Sequence, residues 1–128
     1  MARTTAVYNI PEVMEGTYYT LLLYLKEESG AVKNILGWDG RAYIKSEPGG
    51  TKLGEFYISV SATYGSVLMR LSETETRSIA AAVREDLDLE DSVTSKTLAY
   101  DLMLDNGSHW FSYLRGTLNL IFSITDTD

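Results

Sequence analysis

His109, the chain's one histidine, follows Ser108 directly, precedes Ser112 by three residues, and has Asp101 upstream across an Asn106-Gly107 turn. Ser, His and Asp are the residue types of nucleophilic catalysis, in which an imidazole takes a hydroxyl proton and a carboxylate orients the imidazole. No G-x-S-x-G elbow accompanies them. A lone histidine beside Trp110 at a hairpin end is expected to pack or to face solvent. A second constellation is acidic: Asp86, Asp88, Glu90 and Asp91 alternate along one stretch. Such carboxylates suit Ca²⁺, which takes six to eight oxygens, but the glycine and terminal bidentate spacing of an EF-hand are missing. The expectation for residues 85–91 is a solvated acidic loop that discourages edge pairing, with no metal. Gly49-Gly50-Thr51-Lys52 and Gly54 have the composition of a phosphate loop. Their order is not G-x-x-x-x-G-K-[ST], and no helix follows, so a flexible hairpin loop is expected. Neither a cofactor nor an enzymatic activity is expected from these residues.

The aromatic residues offer a different chemistry. Nine Tyr and two Trp are many for 128 residues, and they cannot all be core. Tyr43 and Tyr57 fall on the strand face opposite the apolar one. Aromatics with Arg are enriched at protein interfaces. Tyr18, Tyr43, Tyr57, Trp110 and Tyr113 are therefore the candidate interface residues. Sugar stacking and simple rim packing are the alternatives for the same side chains.

The elements that position these residues read as β. Tyr8–Ile10 is a short strand closed by Pro11, and Glu12–Gly16 a bend. Thr17–Lys26 is nearly continuous in apolar residues, which predicts a central strand covered on both faces, or one covered by a partner. Arg41–Ser46, Glu55–Ala62 and Ser66–Leu71 alternate. Glu47-Pro48-Gly49-Gly50 is a turn. Ser72-Glu73-Thr74-Glu75 is a capping box that opens a helix over 73–84. Thr97–Leu104 and His109–Ile124 close the chain as a hairpin about Asn106-Gly107, with Gly116 marking a bend or bulge. The prediction is an all-β, immunoglobulin-like antiparallel sandwich of about seven strands with one short crossover helix. One domain over 8–128 is expected to follow a flexible arm, 1–7, that orders on assembly.

Composition narrows the function. Net charge is −7, from 18 acidic and 11 basic residues, and there is no basic run. Nucleic-acid binding relies on Lys and Arg neutralising phosphates and is not expected. There is no cysteine, so disulfides and thiolate metal sites are excluded. The longest apolar run, Leu21–Leu25, is far short of the roughly 20 residues that span a bilayer. No leader-like apolar segment opens the chain, so a protein made in soluble form, without membrane contact, is expected.

The order of the segments resembles a family of small tailed-phage virion proteins, which occur alone or as the N-terminal domain of baseplate upper and fibre-associated proteins. The resemblance is carried by Glu15-Gly16-Thr17 before the long strand, Gly37-Trp38 with Arg41-Ala42-Tyr43-Ile44-Lys45, and Leu71-Ser72 with Thr76. It continues through Tyr100-Asp101-Leu102, Asp105-Asn106-Gly107, Leu114-Arg115-Gly116 and Ile124-Thr125. It covers nearly the whole chain. The chain departs from the family pattern at Gly16-Thr17, which lacks an intervening acidic residue, and at Lys45, where the family has Arg. The resemblance implies a virion structural protein, assembled in the host cytoplasm. It would be a tail, baseplate or fibre connector, with other virion proteins and copies of itself as partners. A head decoration protein and a carbohydrate-binding module are the alternatives.

Overall fold

The computed structural model describes residues 5–27, 29–86 and 93–123. In chain order the elements are β1 (Ala6–Val7), β2 (Ile10–Met14), β3 (Tyr19–Tyr24), β4 (Asp39–Lys45), β5 (Lys52–Ser61), β6 (Ser66–Leu71), α1 (Glu73–Asp86), β7 (Ser95–Asp105) and β8 (Trp110–Ile121). The hydrogen-bonded order is β1-β8-β7-β4-β5-β6-β3, with β2 also on β8. β5 serves both layers. Its first half pairs with β4 up to Phe56, and from Tyr57 to Ser61 it pairs with β6. The front sheet is thus β1/β2-β8-β7-β4-β5 and the back sheet β5-β6-β3. The opening strands run parallel to the last strand, and α1 carries the chain from back to front. This is an immunoglobulin-like sandwich.

The core lies between the layers. Ala42, Ile44, Phe56, Leu98, Tyr100, Leu102 and Leu104 face Val67, Met69 and Leu71, and all are buried. Alternation places them: on β4, Ala42 and Ile44 point inward while Arg41, Tyr43 and Lys45 point out. α1 closes one end with Thr76, Ile79, Ala80 and Val83. Ile79 lies over Gly54, where an added Cβ would sit 2.5 Å from its side chain. The capping box forms as its spacing requires. The Glu75 N–H donates to Ser72 Oγ at 3.1 Å, and the Ser72 N–H donates to Glu75 Oε1 at 2.8 Å.

Several expectations are corrected. The helix runs two residues past Arg84, to Asp86, and the rest of the acidic loop, 87–91, lies outside the described residues. Pro11 does not close the first strand; it stands exposed inside β2. Among the described residues β2 pairs only with β8, and the register is irregular between Ile10 and Val13, the kind of place where a strand accommodates Pro. Part of the expected arm is already paired, with Ala6 opposite Leu114 and Val7 opposite Arg115. Gly116 is no bulge: it pairs regularly with Tyr100. Its missing side chain is where the Tyr8 carbonyl and Asn9 lie against β8. The irregularity falls instead between Leu102 and Met103, opposite Leu114 and Ser112, leaving Tyr113 as the extra residue.

The closing hairpin turns through four residues, 106–109, between the pair Asp105 and Trp110. Asn106 Oδ1 accepts from the Ser108 and His109 N–H groups, and Gly107 adopts φ +97°. Most consequential is β3. It is an edge strand, paired only with β6 among the described residues, and not a central strand covered on both faces. Tyr19, Leu21 and Leu23 are half-buried, while Thr20, Leu22 and Tyr24 are exposed. Both faces are apolar, which hides the alternation in the sequence.

Candidate functional site

Two surfaces gather the aromatic residues. The first is the outer face of the front sheet. Cross-strand pairing lays out a grid there: Arg41–Met103–Ser112, Tyr43–Asp101–Arg115, and Lys45–Ala99–Thr117. The small side chains of Ala99 and Thr117, with Gly116, leave a depression. The Glu47-Pro48-Gly49 turn walls one side of it, and the resulting groove has a volume of about 670 Å³. That turn is fixed by a Gly50 N–H to Glu47 O bond of 2.8 Å and by Gly49 at φ +76°.

Charge around the groove is unevenly matched. Among the described residues the ion pairs are Lys52–Glu55 and Arg84–Glu15, each at 2.9 Å. Among the described residues, Arg41, Lys45 and Arg115 have no carboxylate at ion-pair distance. Arg41 lies 4.5 Å from the Trp110 ring centroid and 5.6 Å from that of Tyr43. Lys52 approaches the same Tyr43 ring to 4.2 Å. Its bond to Glu55 also raises the Lys52 pKa. Tyr43 and Trp110 therefore sit in a cation–aromatic cluster.

The second surface is the outer face of the back sheet. Tyr57 is 50% exposed, with the Arg70 guanidinium 4.4 Å from its ring centroid. Leu22, at 47%, and Tyr24, at 60%, stand on the adjoining edge strand, and Tyr18, at 54%, just before it. Tyr43 and Tyr57 both point away from the core, yet they serve different sheets because β5 changes partner after Phe56. Tyr113 is half-buried and packs against the core.

The catalytic constellation is not assembled. Ser112 Oγ donates to Asp101 Oδ1 at 2.7 Å, so the hydroxyl proton is held by the carboxylate and not by an imidazole. His109 lies at the hairpin tip with its ring centroid 5.9 Å from that of Phe111. Among the described residues no group of three or more His, Asp or Glu side chains forms a metal site. No helix among them is long and apolar enough to cross a membrane.

Two clasps had no clear signal in the sequence. Thr76, fully buried, accepts from the Gly16 N–H at 3.0 Å and donates to the Thr17 carbonyl at 3.0 Å. Glu15 accepts from Arg84 Nη1 and Nη2, at 3.1 and 2.9 Å, and from the Ser123 N–H at 2.9 Å. The Arg84 bonds are the main reason its carboxyl pKa is lowered. The resemblance contains Glu15-Gly16-Thr17 and Thr76 as separate pieces, with nothing that joins them.

No family model matches the chain, and no curated protein does. Among solved structures, the chain is similar to the N-terminal Ig1-2 module of the Drosophila receptor protein tyrosine phosphatase DLAR, at 10% identity and a TM-score of 0.41. The match covers 93% of this chain and 48% of that one, so the chain spans about half the length of that module. The immunoglobulin-like class rests on the strand order and the shared strand, not on this likeness.

Proposed function

We propose that the protein is a non-enzymatic assembly module of a tailed-phage virion, a connector in the tail, baseplate or fibre region. One observation carries the assembly part: aromatic and aliphatic side chains stand exposed on both outer faces of the sandwich. A module that joins two neighbours needs two such faces. The front face adds Arg41 beside Trp110 and Tyr43, and Arg, Trp and Tyr are the types that dominate interface energetics. A sugar platform would need open ring faces, but Arg41 and Lys52 already lie against Tyr43. The phage part rests on the order of motifs. Three of them meet in the row Tyr43–Asp101–Arg115.

The test is to raise antibody against the purified protein and to image labelled particles from the source strain. Label at the tail, baseplate or fibres in several copies is expected. Label at capsid symmetry axes would move the protein to the head. A strict monomer that binds glycans and no virion protein would sink the assembly reading.

A further inference from the structure

We propose that β3 is the seam of a two-fold dimer, pairing antiparallel with β3 of a second copy so that two back sheets become one. The inference rests on the assembly reading and names one of its partners. β3 ends the hydrogen-bonded order, with β6 as its one neighbour among the described residues. The Leu25 N–H reaches Gly65 O, on the β6 side, at 2.7 Å. Alternation then turns the backbone groups of Leu21 and Leu23 toward β6, and those of Thr20, Leu22 and Tyr24 toward the open edge.

Natural edges are guarded by Lys, Pro, inward charges or bulges. Tyr19–Tyr24 has no charged residue and no Pro, and its pairing with β6 is regular. The open edge is also bordered by apolar surface, since Leu22 pairs with the half-buried Leu68 and Tyr57 lies across Arg70.

Charge and symmetry favour a copy of this chain as the occupant. At net charge −7, two copies repel least where they meet over an uncharged segment that brings no like charges together, and residues 17–25 are uncharged. An antiparallel pair of identical strands has a two-fold axis of its own, so it closes without a second surface. Backbone direction requires even-numbered residues to face even-numbered ones. Centring the axis on Leu22 sets Leu22 opposite Leu22 and Thr20 opposite Tyr24. It also sets Lys26, the first cation after the strand, opposite the exposed ring of Tyr18, an attractive pairing.

The full chain lacks cysteine, which makes the experiment clean. Light scattering after size exclusion is expected to show a dimer for the native sequence. Leu22→Lys places two like charges at the axis and should weaken association on the order of 100-fold, with an unchanged circular dichroism spectrum. Leu22→Cys should cross-link as a disulfide dimer under mild oxidation, whereas Thr117→Cys, on the front sheet, should not. If Leu22→Lys fails to fold, the cross-linking pair still decides. A native chain that is monomeric at its highest soluble concentration overturns the seam. So does a dimer that survives Leu22→Lys and does not cross-link through Leu22→Cys, or a chain whose β3 pairs only with a strand of a different protein. A monomer that still incorporates into particles overturns the seam and leaves the assembly reading standing. A cross-linked dimer found on no particle does the reverse.

Discussion

At the scale of residues, Tyr43 and Tyr57 separate folding from assembly. Both point away from the core, so Tyr43→Ala and Tyr57→Ala should leave the thermal midpoint nearly unchanged. If the two rings anchor neighbours, each substitution removes one contact, and incorporation into particles falls for both. Unchanged incorporation would reassign them to passive cover. Gly116 behaves oppositely. A methyl at Gly116 overlaps the Tyr8 carbonyl, so Gly116→Ala should cost about 1–3 kcal/mol, read by thermal or urea unfolding. Alternation alone showed that Tyr43 and Tyr57 point outward. It could not show that they serve opposite faces, because nothing in the local pattern marks where β5 leaves β4 for β6. Arg41 as a neighbour of Tyr43 follows from their i, i+2 spacing on β4, whereas Lys52 was hidden, since its place beside Tyr43 depends on the pairing of β5 with β4.

At the scale of elements, α1 shows the most local logic. The Ser72 and Glu75 bonds were legible as a four-residue signature, and Ser72→Ala should cost about 1 kcal/mol with the midpoint lowered accordingly. The opening strands show the least. Whether the N-terminal segment lies on β3 or on β8 is decided by contacts more than a hundred residues away. The Tyr8 N–H donates to Arg115 O, and the Thr117 N–H donates to Asn9 Oδ1. Gly116 makes room for that approach, and β3 is left open as a result. An apolar strand looks the same in sequence whether it meets core, a partner or water, so the pattern of Thr17–Lys26 fits a central strand and a partner-covered strand equally, and the pairing of β3 with β6 alone among the described residues removes only the first. Glu15 ties three elements together at the far end of β2. Its carboxyl pKa is lowered by Arg84, so its stabilisation is present above the ordinary carboxylate pKa and is lost as pH falls below it. Glu15→Gln should flatten that acid limb in a series of unfolding curves.

At the scale of the whole molecule, half-buried Tyr19 and buried Tyr100 shape the alkaline limit. Burial raises the Tyr19 pKa to about 12. It also raises that of Tyr100, whose hydroxyl donates to Tyr8 O at 2.6 Å. Both groups keep their protons longer in the folded chain than in the unfolded one. The stability they confer is therefore complete below pH 10, the ordinary tyrosine value, and declines as pH rises toward 12. Tyr100→Phe should shift this alkaline limb measurably in a series of unfolding curves. The parallel pairing of β1 and β2 with β8 has a consequence of another kind. Tension applied through residue 5 and residue 123 pulls the first and last strands lengthwise past each other. The ladder bonds are then loaded in shear and must fail together, instead of unzipping singly. A piece built this way resists being drawn out along its own axis.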